Sequence, residues 1–412
     1  MAQVSLKTDI LILGAGIGGY ETFRTLVKKL RRAGLQKSVM IVDKHDYFTF
    51  KPLLHEVVSG SVEPEQAIVS FADVVNNTSH TFLQGAVQNI KPLERLVETD
   101  HGTINYAYCV VALGSATNYF SVPGTEMHTY SVNSLPEALR LREALLQKIK
   151  GSDTTIDVAV VGGGYTGVEV AGQLAHLART ALTKEYPDKR FNLSIVERAE
   201  TVANTLPPSA QRKALARLTK LGVKCYFGKA VKEVTEKAAV LEGGTEIPST
   251  ITIWAAGIKN IAPDVLAMDR FEKGCIPVND YLSYATCPSL YAIGDIAFFC
   301  PPGMLRPAPQ LGEAAHKEGV YVAKHIVATL QGKKIKPFHF ESKGTVMPIG
   351  EHYGLVVLKN RLVLSGLIAW WFRRFIYVMF MPGLKRKIKL MMDWSLPPFT
   401  IVDIIRARKR KM

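Results

Sequence analysis

The stretch DILILGAGIGGY at residues 9–20 constrains the fold more than any other part of the chain. An apolar run at residues 10–13 predicts a buried parallel strand, which stops at glycines where a helical pattern begins. The glycines have the G-x-G-x-x-G spacing that brings backbone N–H groups against a pyrophosphate at a helix N-terminus. The next predicted strand, residues 39–42, ends at Asp43, whose carboxylate is placed to accept hydrogen bonds from an adenosine ribose. The pattern predicts a dinucleotide site at Gly14, Gly16 and Gly19.

A second glycine turn, GGGYTG, follows the apolar strand predicted at residues 156–161. A helix is predicted from about residue 166 to residue 186, and the strand at residues 192–196 ends at Glu197. A carboxylate there accepts hydrogen bonds from the ribose of NAD(H) and repels the 2′-phosphate of NADP(H), although Arg198 beside it weakens that inference. Two complete units in one chain favour two dinucleotide sites over chance. The glycines of the second unit are Gly162, Gly164 and Gly167.

Length and composition are those of a folded protein with two or three domains, since the 412 residues are 47% hydrophobic and 21% charged. The five cysteines form no CxxC pair and no metal-ligand spacing, which predicts unpaired thiols in a reducing compartment and no metal site. The N-terminus enters the first predicted strand at once, without the charged and long apolar regions of a signal peptide. We therefore expect the protein to remain in the cytoplasm.

The loop at residues 45–60 has two readings. It could line a cofactor ring, but its aromatic and leucine side chains are equally consistent with core packing. His45 and His55 in this loop are expected to be structural, because no partner spacing accompanies them.

Three strand ends allow either a cofactor contact or a plain turn. The run ITIWAAG ends in small residues, which suits a backbone lying close to a flat ring or a buried strand that ends in a turn. The run LYAIGD ends in Gly-Asp, which can place a carboxylate against a cofactor's hydroxyls or form a common turn. The run YAYCVVA is a buried strand closed by LGSAT. The small and acidic residues at these ends include Ala112, Gly114, Ala256, Gly257, Gly294 and Asp295.

Over residues 9–295 the chain resembles the two-dinucleotide-binding-domain flavoproteins. The resemblance rests on four motifs taken together: GAGIGG with Asp43, YCVVALGSAT, GGGYTG with Glu197, and LYAIGD. In that superfamily one Rossmann unit holds FAD and a second, inserted unit holds NAD(P)H. The resemblance implies FAD contacts at Gly14, Gly16, Gly19, Asp43, Lys51, Ala112, Gly114, Gly294 and Asp295. It implies NADH contacts at Gly162, Gly164, Gly167, Glu197, Ala256 and Gly257.

Within this superfamily the chain is most similar to the type II NADH:quinone oxidoreductases. The similar segments are FKPLLHEVVSG, GGGYTGVEVAGQL, GEAAHKEG, GTVMPIG and the aromatic-basic tail. The resemblance implies hydride transfer from NADH to FAD and two-electron reduction of a membrane quinone, without ion pumping. One departure is that the family commonly has an Ala-Gln-x-Ala-x-Gln segment beside the flavin ring. The corresponding positions here look like Gly312, Glu313 and Lys317.

Four residues are candidate catalytic groups, and each has a structural alternative. Glu169 is predicted near the nicotinamide, or is a surface acid that complements the helix dipole from the first turn. Glu313 and Lys317 are predicted beside the quinone, or form a solvated i, i+4 pair worth a few tenths of a kcal/mol. His316 could donate a hydrogen bond to a quinone carbonyl or cap a neighbour.

The tail from residue 361 carries twelve Lys or Arg against two Asp, a net charge of +10 out of the chain's +15. Its longest uncharged run, residues 362–372, has 11 residues, whereas a spanning helix needs about 20. Aromatic side chains adjoin two arginines, and apolar residues fall on one helical face, which predicts a helix lying in the interface of an anionic membrane. If half of the net charge acts on lipid, its contribution is about 5 kcal/mol. The residues concerned are Trp370, Trp371, Phe372, Arg373, Arg374, Phe375, Tyr377, Leu384, Lys385, Arg386, Lys387, Ile388, Lys389, Met391 and Met392.

The tail has two other readings. Its apolar residues could form the interface of a homodimer, and its basic run could bind nucleic acid through phosphates. The tryptophans and methionines among the charges favour the membrane, and we expect no nucleic-acid partner.

The predicted fold is α/β, with two Rossmann-like dinucleotide-binding domains, the second inserted in the first, and a C-terminal amphipathic membrane-associating region. The FAD domain is predicted at residues 1–122 and 265–340, the NADH domain at 123–264 and the membrane-anchoring region at 341–412. We expect a peripheral enzyme on the cytoplasmic face of the cell membrane.

Two other functions stay open. One is a soluble NADH-dependent reductase of a small acceptor, although the absence of cysteine from residues 44–60 disfavours disulfide chemistry. The other is a non-catalytic redox sensor whose basic tail binds nucleic acid.

Overall fold

The computed structural model describes residues 5–76, 78–266, 271–301, 307–359, 362–381 and 383–395. The basic end of the tail, residues 396–412, lies outside the described part, as do the side chains of Leu384 and Lys385. The chain forms two compact units, each made of several chain segments.

The helices of the described part, in chain order, are α1 (Ile17–Ala33), α2 (Leu54–Ser59), α3 (Phe71–Val75), α4 (Thr125–His128), α5 (Leu135–Lys150), α6 (Tyr165–Leu177), α7 (Thr183–Glu185), α8 (Pro208–Lys220), α9 (Ala262–Val265), α10 (Gly312–Leu330), α11 (Leu367–Phe380) and α12 (Leu384–Ser395). Short 3-10 turns lie at Lys51–Leu53, Pro64–Gln66 and Gly294–Ile296.

The strands of the described part are β1 (Ser5–Leu13), β2 (Val39–Asp43), β3 (Tyr47–Thr49), β4 (Ile68–Ser70), β5 (Thr81–Gln84), β6 (Val87–Lys91), β7 (Leu96–Thr99), β8 (Gly102–Val111), β9 (Ser115–Thr117), β10 (Thr129–Tyr130), β11 (Thr155–Val161), β12 (Arg190–Glu197), β13 (Lys224–Phe227), β14 (Val231–Val234), β15 (Ala238–Leu241), β16 (Glu246–Pro248), β17 (Ile251–Trp254), β18 (Ile258–Asn260), β19 (Ile276–Pro277), β20 (Ser283–Tyr284), β21 (Cys287–Ala292), β22 (Ala297–Phe298), β23 (Gly344–Pro348), β24 (Gly354–Leu358) and β25 (Leu362–Gly366).

The first unit comprises the described parts of Met1–Thr49, Ile68–Ala116 and Ile258–Ser342. Its main sheet has the order β20-β21-β8-β1-β2-β5, in which the strands from β21 to β5 run parallel and β20 is antiparallel to β21. Strands β6 and β7 extend the same sheet through antiparallel pairing of β7 with β8. The end of β1 pairs with β2 on one side and β8 on the other, so the first glycine turn leaves the centre of the sheet. The last four side chains of β1 are fully buried, because a central parallel strand is covered on both faces.

The second unit comprises Phe50–Ala67, Thr117–Gly257 and the described part of Lys343–Met412. Its parallel sheet has the order β10-β17-β11-β12-β13. Because β11 lies between β12 and β17, the second glycine turn also leaves a central strand. Two antiparallel three-stranded sheets, β14-β15-β16 and β23-β24-β25, belong to the same unit. The α/β class with two Rossmann-like sheets, predicted from the two glycine turns, is confirmed.

Two predicted elements have different bounds in the structure. The helix predicted to run to residue 186 is α6, followed by one π-helical turn at Ala178–Leu182 and then α7. The start of the tail is strand β25 rather than a helix, because residues 362–366 complete an antiparallel sheet with β24. The first tail helix, α11, therefore begins at Leu367 and packs on β24 and β25 of its own unit.

The predicted domain limits stay a prediction. The compact units place residues 50–67 and the described tail with residues 117–257, since α2 packs against α5 and α6. No helix among the described residues combines the length and hydropathy that a membrane crossing requires. The five cysteines all lie in the described part, and none of them forms a disulfide there.

Candidate dinucleotide and acceptor sites

The first glycine turn needs glycine at two places because the backbone packs against itself. Gly14 has φ +91°, and a Cβ on it would overlap the carbonyl oxygen of Ala112. A Cβ on Gly19 would overlap the carbonyl oxygen of Gly14. Ala112, at the end of β8, donates its N–H to Leu13 O at 2.7 Å and so closes the turn from the neighbouring strand.

Gly16 is different, because its Cβ would meet no described heavy atom within 4 Å. It is the N-cap of α1, and no side chain caps that helix end, so backbone donors of the first turn point towards this open space. Gly114, at φ +72°, also has open space where its Cβ would lie. Open space beside a helix N-terminus is the cradle that a pyrophosphate requires, so these residues fit a dinucleotide.

Asp43 holds the glycine turn from the end of β2. Its Oδ2 accepts a hydrogen bond from the N–H of Ala15 at 2.7 Å, and its Oδ1 accepts from the N–H of His45 at 2.9 Å. The predicted contact with a ribose stays a prediction, and the carboxylate has lone pairs left for it. The ring of His45 stacks on Tyr47, with 5.3 Å between centroids.

The second unit repeats this arrangement. Gly162 has φ +108°, and Cβ atoms on Gly162 and Gly167 would overlap backbone atoms, whereas the Cβ of Gly164 would meet no described atom within 4 Å. Glu197 Oε2 accepts from the N–H of Gly163 at 2.6 Å, and Oε1 accepts from the N–H of Ala199 at 2.8 Å. The strand-end acid therefore clamps both turns in the same way.

The strand end at Trp254 closes on a neighbouring loop. Trp254 Nε1 donates to Asn118 O at 2.7 Å, and Asn118 N donates to Gly257 O at 3.1 Å. A Cβ on Gly257 would lie 3.0 Å from the ring of Phe120, which explains the small residue. Ala256 is exposed, and its predicted contact with a nicotinamide ring stays a prediction.

The Gly-Asp turn after β21 is held by a buried acid that the sequence reasoning missed. Ser115 Oγ donates to Asp295 Oδ2 at 2.8 Å, while Gly294 donates its N–H to Glu318 Oε2 at 2.6 Å. Burial raises the pKa of Glu318 to about 7, and the hydrogen bond from Gly294 opposes that rise. Glu318 lies in the segment GEAAHKEG, which forms the start of α10. Its place on the buried face of that helix was the signal that could have identified it as a functional acid.

Helix α10 packs on α1 with almost no gap. A Cβ on Gly319 would lie 2.5 Å from Gly18 O and 2.9 Å from Thr22 Oγ1. His316, also on α10, has its Nδ1 3.6 Å from Glu21 Oε2 of α1. Burial lowers the pKa of His316, while Glu21 raises it. The alternative that His316 contacts a neighbour within the fold is thus observed, and its predicted contact with a quinone stays a prediction.

Glu313 and Lys317 form the expected i, i+4 ion pair, with 2.7 Å between Nζ and Oε1. The pair is not simply solvated. Lys317 Nζ also donates to Glu341 O at 2.5 Å and lies 5.1 Å from the ring centroid of Phe340. Ser342 Oγ donates to Glu313 Oε2 at 3.0 Å, so both residues tie α10 to the segment at residues 340–342.

Glu169 is not a surface acid of the first helical turn. It lies in the second turn of α6, and its side chain is 16% exposed. Its Oε2 is 4.0 Å from His55 Nδ1, and burial raises the pKa of its carboxyl to about 8, with Glu56 raising it and Arg373 lowering it. Glu169 is therefore protonated at neutral pH.

The arginines of α11 face inward, which corrects their assignment to the membrane surface. Arg373 is fully buried with Nη2 2.6 Å from Glu56 Oε1, and Arg374 Nη2 lies 3.6 Å from Glu351 Oε2. Arg374 also stacks on Trp370, with 3.4 Å between its Cζ and a ring centroid. We call Glu56, Glu351, Arg373 and Arg374 the tail cluster. The inner face of α11 includes Ala369, Trp370, Arg373, Arg374 and Tyr377.

The outer faces of the tail helices are apolar. On α11 Trp371 is 56% exposed and Phe375 is 64% exposed. The other exposed apolar side chains of the two helices are Leu367, Ile368, Phe372, Met379, Phe380, Ile388, Met391 and Met392. Lys51, predicted to contact FAD, is exposed at the start of a 3-10 turn in the second unit, and its contact stays a prediction.

The repeated cradle and strand-end acid are those of a protein with two dinucleotide-binding units. A family profile described as pyridine nucleotide-disulphide oxidoreductase matches residues 8–319. The chain belongs to the pyridine nucleotide-disulphide oxidoreductase family.

The alignments with curated relatives and with solved structures cover most of the chain. A type II NADH:quinone oxidoreductase of Staphylococcus saprophyticus is 26% identical over 372 residues, covering 88% of this chain and 92% of the relative. A protein of the same name from Staphylococcus aureus is 26% identical over 366 residues, covering 86% and 90%. The resemblance inferred from the motifs is confirmed by these matches.

Among solved structures, NDH2 from Plasmodium falciparum in complex with NADH is similar with a TM-score of 0.84 and 19% identity, covering 94% of this chain and 97% of that chain. The sulfide:quinone oxidoreductase of Aquifex aeolicus has a TM-score of 0.76 and 16% identity, covering 95% and 96%. At these identities the solved structures show a shared fold.

Proposed function

We propose that this protein is an FAD-dependent NADH:quinone oxidoreductase. The observation that carries the proposal is the pair of open glycine cradles, at Gly16 and Gly164, each clamped by a strand-end acid. The relatives that match the chain over most of their own length bear the same activity in their name. FAD supplies the redox chemistry, and the chain supplies binding and orientation.

The residues of each cradle have distinct tasks. Gly16 and Gly114 leave room for the FAD pyrophosphate, and Asp43 holds the turn while offering its remaining lone pairs to the ribose. Gly164 and Glu197 do the same for NADH. Because Glu197 is an acid, the second cradle favours the 2′-hydroxyl of NADH over the 2′-phosphate of NADPH.

Residues of α10, in the first unit, serve the acceptor in this proposal. Lys317 supplies a cation for the reduced quinone, and Glu313 fixes its position through the 2.7 Å ion pair. His316 of the same helix supplies a hydrogen-bond donor. In the second unit, Glu169 holds a proton at its carboxyl near neutral pH.

The outer faces of α11 and α12 bind an anionic lipid surface. Exposed apolar side chains such as Trp371 and Phe375 enter the interface, and cations of α12 face lipid headgroups. With Arg373 and Arg374 buried, the net charge of the tail that is available to lipid falls from +10 to +8, and half of it contributes about 4 kcal/mol rather than about 5. The enzyme is thereby a peripheral protein of the cytoplasmic face of the membrane.

The absorption spectrum of the purified protein tests the function. We expect a flavin spectrum that bleaches on addition of NADH and returns on addition of a short-chain quinone under anaerobic conditions. The Gly164→Ala variant is the matched control, since it keeps the flavin spectrum and loses bleaching at low NADH. A colourless protein, or a bleached protein that quinone does not reoxidise, would contradict the proposal. Reoxidation by a disulfide alone would indicate the soluble reductase instead.

Vesicle sedimentation tests the lipid surface. The Trp371→Ser/Phe375→Ser variant should leave vesicles containing anionic lipid, whereas Leu93→Ser, at an exposed leucine of the first unit, should not. Binding that persists in the double variant, or is equal on neutral vesicles, would contradict lipid docking. Loss of a dimer in the double variant, seen by ultracentrifugation without vesicles, would identify this face as a homodimer interface. Binding to DNA with steep salt dependence would indicate nucleic acid.

A further inference from the structure

One arginine of the second unit lowers the pKa of two carboxyls that lie on two other helices. Helix α2 contributes Glu56, α6 contributes Glu169 and α11 contributes Arg373. Arg373 Nη2 lies 2.6 Å from Glu56 Oε1. Among the described residues, Glu169 Oε2 lies 4.0 Å from His55 Nδ1 and forms no ion pair with an arginine or lysine. The guanidinium is therefore committed to Glu56 and not to Glu169.

We propose that Arg373 and Glu56 are positioning residues for Glu169, and that their ion pair decides which of the two carboxyls carries the exchangeable proton. The inference rests on the proposed function, because Glu169 has a part in turnover only if the protein reduces an acceptor. What the inference predicts is the pKa of the Glu169 carboxyl, which can be measured on the resting protein without turnover.

Glu56 is buried and Glu169 is largely buried, and the charge on Glu56 raises the pKa of Glu169. Two such carboxyls do not both ionise readily unless each has a cationic partner. Burial opposes ionisation of Glu56, but Arg373 holds its pKa below the ordinary value. Glu169 lacks such a partner and takes the proton. The other titratable groups around it do not supply a charge, since burial lowers the pKa of His55 to about 4 and raises the pKa of Tyr377.

The tail helices determine where the arginine lies. Arg373 is on the inner face of α11, opposite the exposed Trp371 and Phe375, and its Cζ lies 4.9 Å from the ring centroid of Tyr377. Glu56 also accepts a hydrogen bond from Trp394 Nε1 of α12 at 3.2 Å. The same two helices that present apolar side chains outward thus hold the pair that governs Glu169.

Arg373 has donors to spare. Its Nε and Nη1 are buried and have no hydrogen-bond partner among the described residues. When Glu56 is made neutral, the guanidinium keeps its charge but loses its paired carboxylate, while it already lowers the pKa of the Glu169 carboxyl. That carboxyl should then ionise at lower pH, because an opposite charge at short range lowers the pKa of an acid by about 1–3 units.

Infrared titration of the resting full-length protein tests the inference. The carboxylic-acid band of Glu169 is assigned by its loss in Glu169→Gln, and its disappearance is followed with rising pH. We expect Glu56→Gln to lower the midpoint by about one unit or more, since Gln keeps the shape and the acceptor for Trp394. The alkaline limb of the quinone-reductase pH profile should move down by the same amount. Glu351→Gln, at the carboxyl of the tail cluster that pairs with Arg374, should move the band much less than Glu56→Gln does.

The double variant Glu56→Gln/Arg373→Gln keeps the test decisive if Glu56→Gln does not fold, because it leaves no buried charge unpaired. Its midpoint should return to the wild-type value or above it. A midpoint that is unchanged in Glu56→Gln, or that stays lowered in the double variant, overturns the inference. If the protein oxidises no NADH, the proposed function fails, while the infrared midpoints still report on the pair.

Discussion

The two glycines Gly16 and Gly19 should respond oppositely to the same added methyl group. At Gly19 the Cβ would overlap the carbonyl oxygen of Gly14, which is backbone and cannot rotate away. Strand β1 and helix α1 must then separate, and overpacking of this kind costs about 1–3 kcal/mol or more. We expect Gly19→Ala to lower the thermal midpoint of the apoprotein and to lose flavin as a consequence.

At Gly16 the methyl group has room in the described structure, so Gly16→Ala should change apoprotein stability by less than about 1 kcal/mol, the usual effect of Ala at a helix N-cap. The methyl occupies the space proposed for the pyrophosphate. Losing one backbone hydrogen bond to a charged phosphate costs about 1.5–3 kcal/mol. Flavin should therefore bind roughly tenfold more weakly or worse.

The assay combines thermal unfolding of the flavin-free protein with titration of FAD followed by absorbance. Gly164→Ala and Gly167→Ala provide the matched pair in the second unit, where NADH affinity should replace flavin affinity as the reporter. The reasoning is refuted if Gly16→Ala retains wild-type flavin affinity, or if it destabilises the apoprotein as much as Gly19→Ala does.

Three further predictions concern acids and a lysine. Glu197→Arg should shift the ratio of kcat/KM values towards NADPH by roughly tenfold, because it reverses the charge at the ribose; an unchanged ratio in steady-state kinetics would remove Glu197 from that role. Lys317→Ala should slow quinone reduction more than the NADH half-reaction in stopped-flow traces, and equal losses would mean that Lys317 only tethers residues 340–342. Glu318 has a pKa of about 7 in the folded state against an ordinary 4.5, so it holds its proton more tightly when the protein is folded. The folded protein should therefore lose stability relative to the unfolded chain as the pH rises between these two pKa values. Glu318→Gln should abolish about 3 kcal/mol of that loss, measured as a flatter dependence of unfolding on pH.

The sequence was informative where only one residue type satisfies the backbone. Gly14 and Gly162 have positive φ in the structure, and Gly19 and Gly167 lie against carbonyl oxygens, so their spacing specified the two turns in advance. The clamp made by Asp43 was not predicted, although its position was. A motif identifies which residue lies at the end of a strand. The backbone N–H groups that this residue binds depend on the conformation of the neighbouring loops, which the motif does not give.

Composition could not show which arginines of the tail are buried in ion pairs with acids elsewhere in the sequence. Arg373 and Arg374 were counted with the lipid-facing charges, yet Arg373 pairs with Glu56 of another chain segment and Arg374 pairs with Glu351, which precedes the tail. One signal was available. Residues 370, 373, 374 and 377 recur at helical spacing on one face, whereas Trp371 and Phe375 lie on the other, so the arginines belong to the inner stripe.

The crossing of α1 and α10 at Gly319 leaves no space for even a methyl group beside Gly18. Helices in such backbone contact cannot slide independently, so a strain introduced at the pyrophosphate turn is carried rigidly into the helix that bears Glu313 and Lys317. Binding of a nucleotide in the cradle would then reach α10 as a rigid-body shift of the helix rather than as a change of side-chain rotamer.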